Sequence, residues 1–99
     1  MTRDEMGVPH IQAKNEHDLY IAQGYIQAQD RLFHMDLSRR QASGTLSEVV
    51  GEATVDQDKY FRTLGLRSAA ELSYNEYSTE AKAVLKNFSD GVNLYIQEL

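Results

Sequence analysis

The sequence predicts a mainly α fold of about four helices, with one long central helix over residues 16–43 and a short extended segment or hairpin before it. Three observations predict this. Apolar residues recur at helical spacing between Leu19 and Leu37 and again between Ala81 and Ile96. Cap and stop residues frame those stretches, with Asn15 and Gly44 around the first and Ser78 before the last. Gly7 and Pro9 disfavour a helix at the amino terminus, and Pro9 forces Val8 to be extended.

In order along the chain, residues 2–13 read as two short extended pieces around a turn near Glu5 to Gly7. Asn15 caps the long helix, Asp18 puts a carboxylate in its first turn, and Gly44 stops it in a left-handed conformation. Thr45 and Glu48 have capping-box spacing for a short helix ended by Gly51. Thr54 and Gln57 repeat that spacing for a third helix running from about Val55 toward Leu72, with Gly65 inside it as a kink or break. Ser73 to Tyr77 reads as a loop rich in turn formers. Ser78 then caps a last helix of about Thr79 to Gln97, whose Ala81, Val84, Leu85, Phe88, Val92, Tyr95 and Ile96 form one stripe.

The long helix carries an apolar arc wider than one stripe. Leu19, Ala22, Ile26, Phe33 and Leu37 share one face, and Ile21, Tyr25, Ala28, Leu32 and Met35 share its neighbour. Gln29 and Asp36 fall inside the arc. A buried carboxylate needs a partner, and Arg39 and Arg40 lie three and four residues beyond Asp36. The expectation is a buried ion pair that fixes helix packing, worth about 3 kcal/mol when broken. Such a helix should be covered on two sides.

The totals narrow the function classes. A chain of 99 residues points to one domain, a single helical domain over residues 1–99, with a modest core. A formal net charge of -5 argues against a nucleic-acid binder, which needs a basic stripe. The absence of cysteine rules out disulfides, thiol nucleophiles and cysteine metal sites. No apolar run is long enough to span a bilayer, and no signal segment follows Met1, so the expectation for the chain as written is a cytoplasmic location with no membrane partner.

No residue pattern completes a catalytic site. Asp30 and His34 have helical i,i+4 spacing, but two groups are too few for a metal, and the plain reading is a solvated pair. His10 and His17 have no carboxylate at a persuasive spacing. No serine sits in a Gly-x-Ser-x-Gly elbow, and no activating base is placed beside one. Glycine spacing between Gly44 and Gly51 is wrong for a phosphate loop. Tyr74, Tyr77, Tyr95 and Phe88 are better read as core or loop anchors than as a ligand wall. Catalytic, cofactor-binding and metal-binding residues are therefore all expected to be none.

Five motifs in order nevertheless point to a family. They are Arg-Asp-x-x-Gly-Val-Pro-His-Ile (Arg3 to Ile11), Ala-Gln-Asp-Arg-Leu-Phe (Ala28 to Phe33), Met-Asp-x-x-Arg-Arg (Met35 to Arg40), Gly-x-x-Ser-Glu-x-x-Gly (Gly44 to Gly51) and Asp-Gly-Val-Asn-x-Tyr-Ile (Asp90 to Ile96). Together they resemble the start of the alpha subunit of the penicillin acylase (penicillin amidase) family of N-terminal-nucleophile hydrolases.

The resemblance implies a parent enzyme of antibiotic metabolism that hydrolyses an amide, such as the side-chain amide of a beta-lactam or an acylated homoserine lactone. It implies a larger αββα fold, self-cleavage of a precursor, and a nucleophile with its own α-amine as base at the start of a beta subunit. It also implies a calcium ion held outside these residues, and a family that is typically periplasmic or secreted. The similar positions here are scaffold positions, so the expectation is a segment inactive by itself whose partner is the rest of the acylase. The alternative is a self-standing helical interaction or oligomerisation module, with self-association through an exposed apolar helix face.

Overall fold

Two glycines in the middle of helices decide how the first and last helices meet. The computed structural model describes residues 2–99. Its elements are β1 (Thr2–Arg3), β2 (Pro9–His10), α1 (Glu16–Ser43), α2 (Ser47–Val50), a 3₁₀ turn (Glu52–Thr54), α3 (Val55–Leu64), α4 (Leu66–Glu76) and α5 (Thr79–Glu98). The mainly α architecture with a short amino-terminal hairpin is the one the sequence predicts. The chain divides into two compact units, one formed by residues 1–32 and 78–99 and the other by residues 33–77.

In the first unit, β1 and β2 pair antiparallel, with Thr2 opposite His10 and Arg3 opposite Pro9. The turn between them is built by Asp4. Its Oδ1 accepts from the Met6 and Val8 amides at 2.9 and 3.0 Å, and its carbonyl accepts from the Gly7 amide. Gly7 takes φ +80°, which a side chain would oppose. Asn15 Oδ1 accepts from the Asp18 amide at 2.8 Å, and Ser78 Oγ accepts from the Ala81 amide at 3.1 Å. Both expected caps are therefore made.

A Cβ placed on Gly24 of α1 would overlap the carbonyl oxygen of Phe88 in α5, and one on Gly91 of α5 would overlap the carbonyl oxygen of Ile21 in α1. The two backbones thus touch directly at a pair of glycines. The core lies beside this crossing, with Ile26 3% exposed and Ala28 fully buried. The Tyr25 and Tyr95 rings meet edge to face with centroids 5.6 Å apart, and the Tyr25 hydroxyl donates to Glu98 Oε2 at 2.5 Å.

In the second unit, Gly44 ends α1 at φ +72° and Gly65 separates α3 from α4 at φ +70°. The third helix of the sequence reading is thus two helices. Ser73 to Tyr77 is not a loop: α4 continues to Glu76. The segment holds turn-forming side chains but no glycine or proline, so nothing in it stops a helix. The stop comes from Tyr77, whose extended backbone (φ −70°, ψ 150°) delivers Ser78 to its capping position.

Neither expected capping box forms. Thr45 makes no side-chain cap for α2, and Thr54 Oγ1 donates back to the Gly51 carbonyl rather than capping α3. The donors at the start of α2 go to Asp58 instead, a carboxylate eleven and twelve residues away that spacing rules cannot see.

Candidate functional site

Three polar clusters each hold backbone elements together. The first is the hairpin clamp. Arg3 donates through Nη1 and Nη2 to the two carboxylate oxygens of Asp30 at 3.1 and 2.9 Å, through Nη2 to Gln29 Oε1 at 3.1 Å, and through Nη1 to the Gly7 carbonyl at 3.0 Å. One planar guanidinium thus ties the turn of the hairpin to α1. Gln29 is exposed at this clamp and is not part of a buried arc. That side of α1 is covered by a guanidinium, so an amide there meets a donor and needs no apolar burial.

Asp30 serves the clamp and is not paired with His34, which stays exposed. His10 Nε2 lies 3.2 Å from Asp4 Oδ2, a carboxylate six residues away across the turn. Hydrogen bonds from the Val8 amide and from His10 hold the Asp4 carboxyl below its ordinary value. His17 lies 3.3 Å from Asp18 at the exposed start of α1.

The second place is the arginine bridge. Asp36 Oδ1 accepts from Arg39 Nη2 at 2.8 Å and Asp36 Oδ2 accepts from Arg40 Nε at 2.9 Å. The sequence predicts these partners correctly, but their burial differs. The Asp36 side chain is 39% exposed, so the pair is a half-exposed network and not a buried charge pair. Helical dihedrals break at Arg31 (φ −140°, ψ 24°), so a wheel drawn straight through residues 16–43 misplaces the side chains beyond that point. Phe33, also assigned to the arc, is 71% exposed. Arg40 extends the network by donating through Nη1 to Glu48 Oε2 at 2.9 Å, linking α1 to α2. The Arg39 and Arg40 hydrogen bonds hold the Asp36 carboxyl below its ordinary range.

The third place is missing from the sequence reading. Asp58 in α3 is 6% exposed and accepts from the Leu46 amide, the Ser47 amide (both 2.9 Å) and the Ser47 hydroxyl. The Ser47 side chain leads, ahead of the two amides and Arg62, in holding its carboxyl down against the opposing effect of burial. Arg62 Nε donates to the Gly44 carbonyl at 2.8 Å, which fastens the end of α1 to the same helix. A serine touching a carboxylate invites a nucleophilic reading, but a carboxylate with a depressed pKa and three donors is a poor base. The geometry is that of a helix cap supplied from a distance. The findable signal was a second acid, after Asp56, in the first turn of α3, downstream of an uncapped Leu46.

Of the four aromatics considered as a wall, Tyr74 and Tyr77 stack edge to face at 6.0 Å in the second unit. Tyr95 packs on Tyr25 in the first. Among the described residues, no three His, Cys, Asp or Glu side chains come together to hold a metal ion. No described helix is long and apolar enough to cross a membrane. A groove of about 470 Å³ in the first unit is lined by Pro9, Ile11, Leu19 and Ile26 with a polar rim of Gln23, Gln27, Asp30 and Arg31.

Comparison with known proteins matches this scaffold over its whole length. The sequence pattern of the family described as Penicillin amidase matches residues 1–99. Penicillin acylase 2 proenzyme of Pseudomonas sp. (strain SE83) is 39% identical over 94 residues, 95% of this chain and 12% of that protein. Penicillin G acylase of Escherichia coli is 37% identical over 99 residues, 100% of this chain and 12% of that protein. The solved thermostable penicillin G acylase from Alcaligenes faecalis superposes with a TM-score of 0.86 at 34% identity, over 98% of this chain and 52% of that one. The chain thus spans about an eighth of the length of these curated relatives. With the whole sequence inside the family pattern and the helices matching those of a solved acylase, the chain belongs to the penicillin amidase family.

Proposed function

We propose that residues 1–99 are the amino-terminal scaffold of a penicillin acylase-type amide hydrolase and turn over no amide by themselves. The observation that carries this is the family match over the whole chain, set against 12% of the relatives' length. The parent reaction is hydrolysis of the side-chain amide of a beta-lactam or a related N-acyl compound. The names of the relatives support that class, since they include two penicillin acylases and an acyl-homoserine lactone acylase of Pseudomonas aeruginosa. The nucleophile, its amine base and the oxyanion donors then come from sequence beyond these positions. What these residues contribute is rigidity: the Gly24–Gly91 crossing, the Arg3 clamp and the Asp58 cap hold the helices that the reacting parts are built upon.

The test is direct. The purified chain, incubated with a chromogenic phenylacetyl amide, releases no more chromophore than a blank. Turnover that scales with the amount of chain overturns the inactivity. A second reading has one observation in its favour: Phe33 and Leu72 are each 71% exposed, and apolar surface of that kind drives association. On that reading the chain self-associates, and sedimentation equilibrium at rising concentration gives a mass above that of one chain. A constant single-chain mass removes it.

A further inference from the structure

The hairpin and the helix crossing of the first unit are held by different chemistry. Among the described residues, every side-chain hydrogen bond within the hairpin, or from it to α1, has Asp4 or Arg3 as a partner. Asp4 Oδ1 takes the Met6 and Val8 amides, and Asp4 Oδ2 lies 3.2 Å from His10 Nε2. Arg3 reaches α1 through both carboxylate oxygens of Asp30 and through the neutral Gln29. One carboxylate thus shapes the turn and another receives the clamp. The crossing of α1 and α5 rests instead on the close approach at Gly24 and Gly91, on buried Ile26 and Ala28, and on the Tyr25 and Tyr95 rings. Glu98 accepts from the Tyr25 hydroxyl there, and a protonated carboxyl keeps acceptor capacity for that bond.

We propose that the hairpin is an acid-released strap: neutralising Asp4 and Asp30 opens its turn and its clamp together and parts Pro9 and Ile11 from the Leu19 and Ile26 wall of the groove, while the α1–α5 crossing holds. The charged groups around Asp4 are Arg3, Glu5 and His10 on the hairpin and, at the groove beneath it, Asp30 and Arg31 on α1. With the two aspartates neutral, Arg3 on the hairpin and Arg31 on α1 remain as like charges, and what is left repels. The Val8 amide and then His10 hold the Asp4 carboxyl below its ordinary 3.8. Its contribution is therefore complete above that unfolded value and is lost as pH falls through the lower folded value. Strands of two residues each cannot keep the hairpin together once these bonds are gone.

The experiment follows the chain by nuclear magnetic resonance from about pH 6 to about pH 2, a range that brackets carboxylate titration. The Asp4 and Asp30 carboxyl carbons report protonation, and backbone amides report structure. The Met6, Gly7 and Val8 amides move to random-coil positions as Asp4 titrates, with a midpoint below 3.8. Their protection from exchange falls by about tenfold or more. The Gly24, Phe88 and Gly91 amides keep their folded positions past that midpoint. Asp4→Asn keeps an oxygen for the two amides and removes the titrating charge, so its hairpin opens over a wider pH range. If that variant lacks the hairpin at neutral pH, the unaltered chain decides. Hairpin amides that stay in place while the Asp4 carboxyl titrates overturn the proposal. So does a single common midpoint for the hairpin and for Gly24, Phe88 and Gly91, because the strap is then not separable from the helices. A folded Asp4→Asn hairpin with the midpoint and steepness of the unaltered chain overturns the part assigned to Asp4.

Discussion

Gly91 in α5 lies so close to the backbone of Ile21 in α1 that a methyl group there would collide with the Ile21 carbonyl oxygen. Backbone is the least forgiving neighbour, because no rotamer change relieves the overlap. Glycine within a helix costs about 1 kcal/mol against alanine, so its use twice at one crossing has a packing reason. Gly91→Ala gains that propensity and loses the close approach. Overpacking of this kind costs about 1–3 kcal/mol, so separation of the helices should outweigh the gain. The expected result is a lower urea midpoint for Gly91→Ala and Gly24→Ala, by about 1–2 kcal/mol in unfolding free energy. An unchanged or higher midpoint would show that α1 and α5 are not in backbone contact.

Asp58 is the second prediction. Removing its carboxylate in Asp58→Ala strands the Leu46 and Ser47 amides at the start of α2 and the Ser47 hydroxyl. The melting temperature should fall by roughly 5–10 °C. Ser47→Ala removes one donor and leaves both amides capped, so its effect is smaller. The pH dependence arises from the same contacts. The Asp58 and Asp36 carboxyls are both held below the ordinary 3.8 in the folded chain. Their contribution is complete above that unfolded value and is lost as pH falls through the lower folded values. Thermal melts should therefore lose stability steeply below about pH 4, and Asp58→Asn should flatten that loss. Parallel acid profiles for the two proteins would remove Asp58 from the account.

Asp36 is the third. Its partners are legible from spacing alone, whereas its exposure is not. A buried pair would make Asp36→Ala costly, but half-exposed pairs are screened by water and salt. Asp36→Ala should shift the melting temperature by no more than a few degrees, and added salt should erase most of the shift. Arg40→Ala should do more, because Arg40 also carries the link to Glu48 in α2. A larger loss for Asp36→Ala than for Arg40→Ala would restore the buried reading.

These cases show which parts of the fold the sequence makes legible. Local signals transfer well: the Asn15 and Ser78 caps, the Gly44 stop and the Asp4-to-Gly7 turn each depend on neighbours within a few residues. Contacts between distant residues do not. Arg3 reaches Asp30 across 27 positions, and Asp58 reaches Leu46 across twelve. The wheel of α1 failed for a different reason, since one residue with non-helical dihedrals, Arg31, resets the phase for Phe33. Gly24 and Gly91 carried a readable hint, a helix breaker kept inside each of two long helices. The family of the chain was legible in motif order and not in chemistry, because the long-range polar clusters form a cap and a clamp.

The clamp gives the last prediction. β1 and β2 are two residues each, far below what holds a hairpin together in water. Asp4 closes the turn, yet nothing in the turn attaches it to α1; Arg3 does that through Asp30 and Gln29. Arg3→Ala should therefore release the hairpin while leaving the α1–α5 crossing intact. In hydrogen exchange, the Val8 and Gly7 amides, which bond within the turn, should lose protection by about tenfold or more as local opening becomes easy. Amides of α5 should exchange as before. Asp30→Asn keeps the shape and removes the charge, so it should give a smaller loss in the same amides. Unchanged exchange at Gly7 and Val8 in Arg3→Ala would mean that the Asp4 turn holds the hairpin alone, and that the long-range pair between Arg3 and Asp30 results from the hairpin's position and does not cause it.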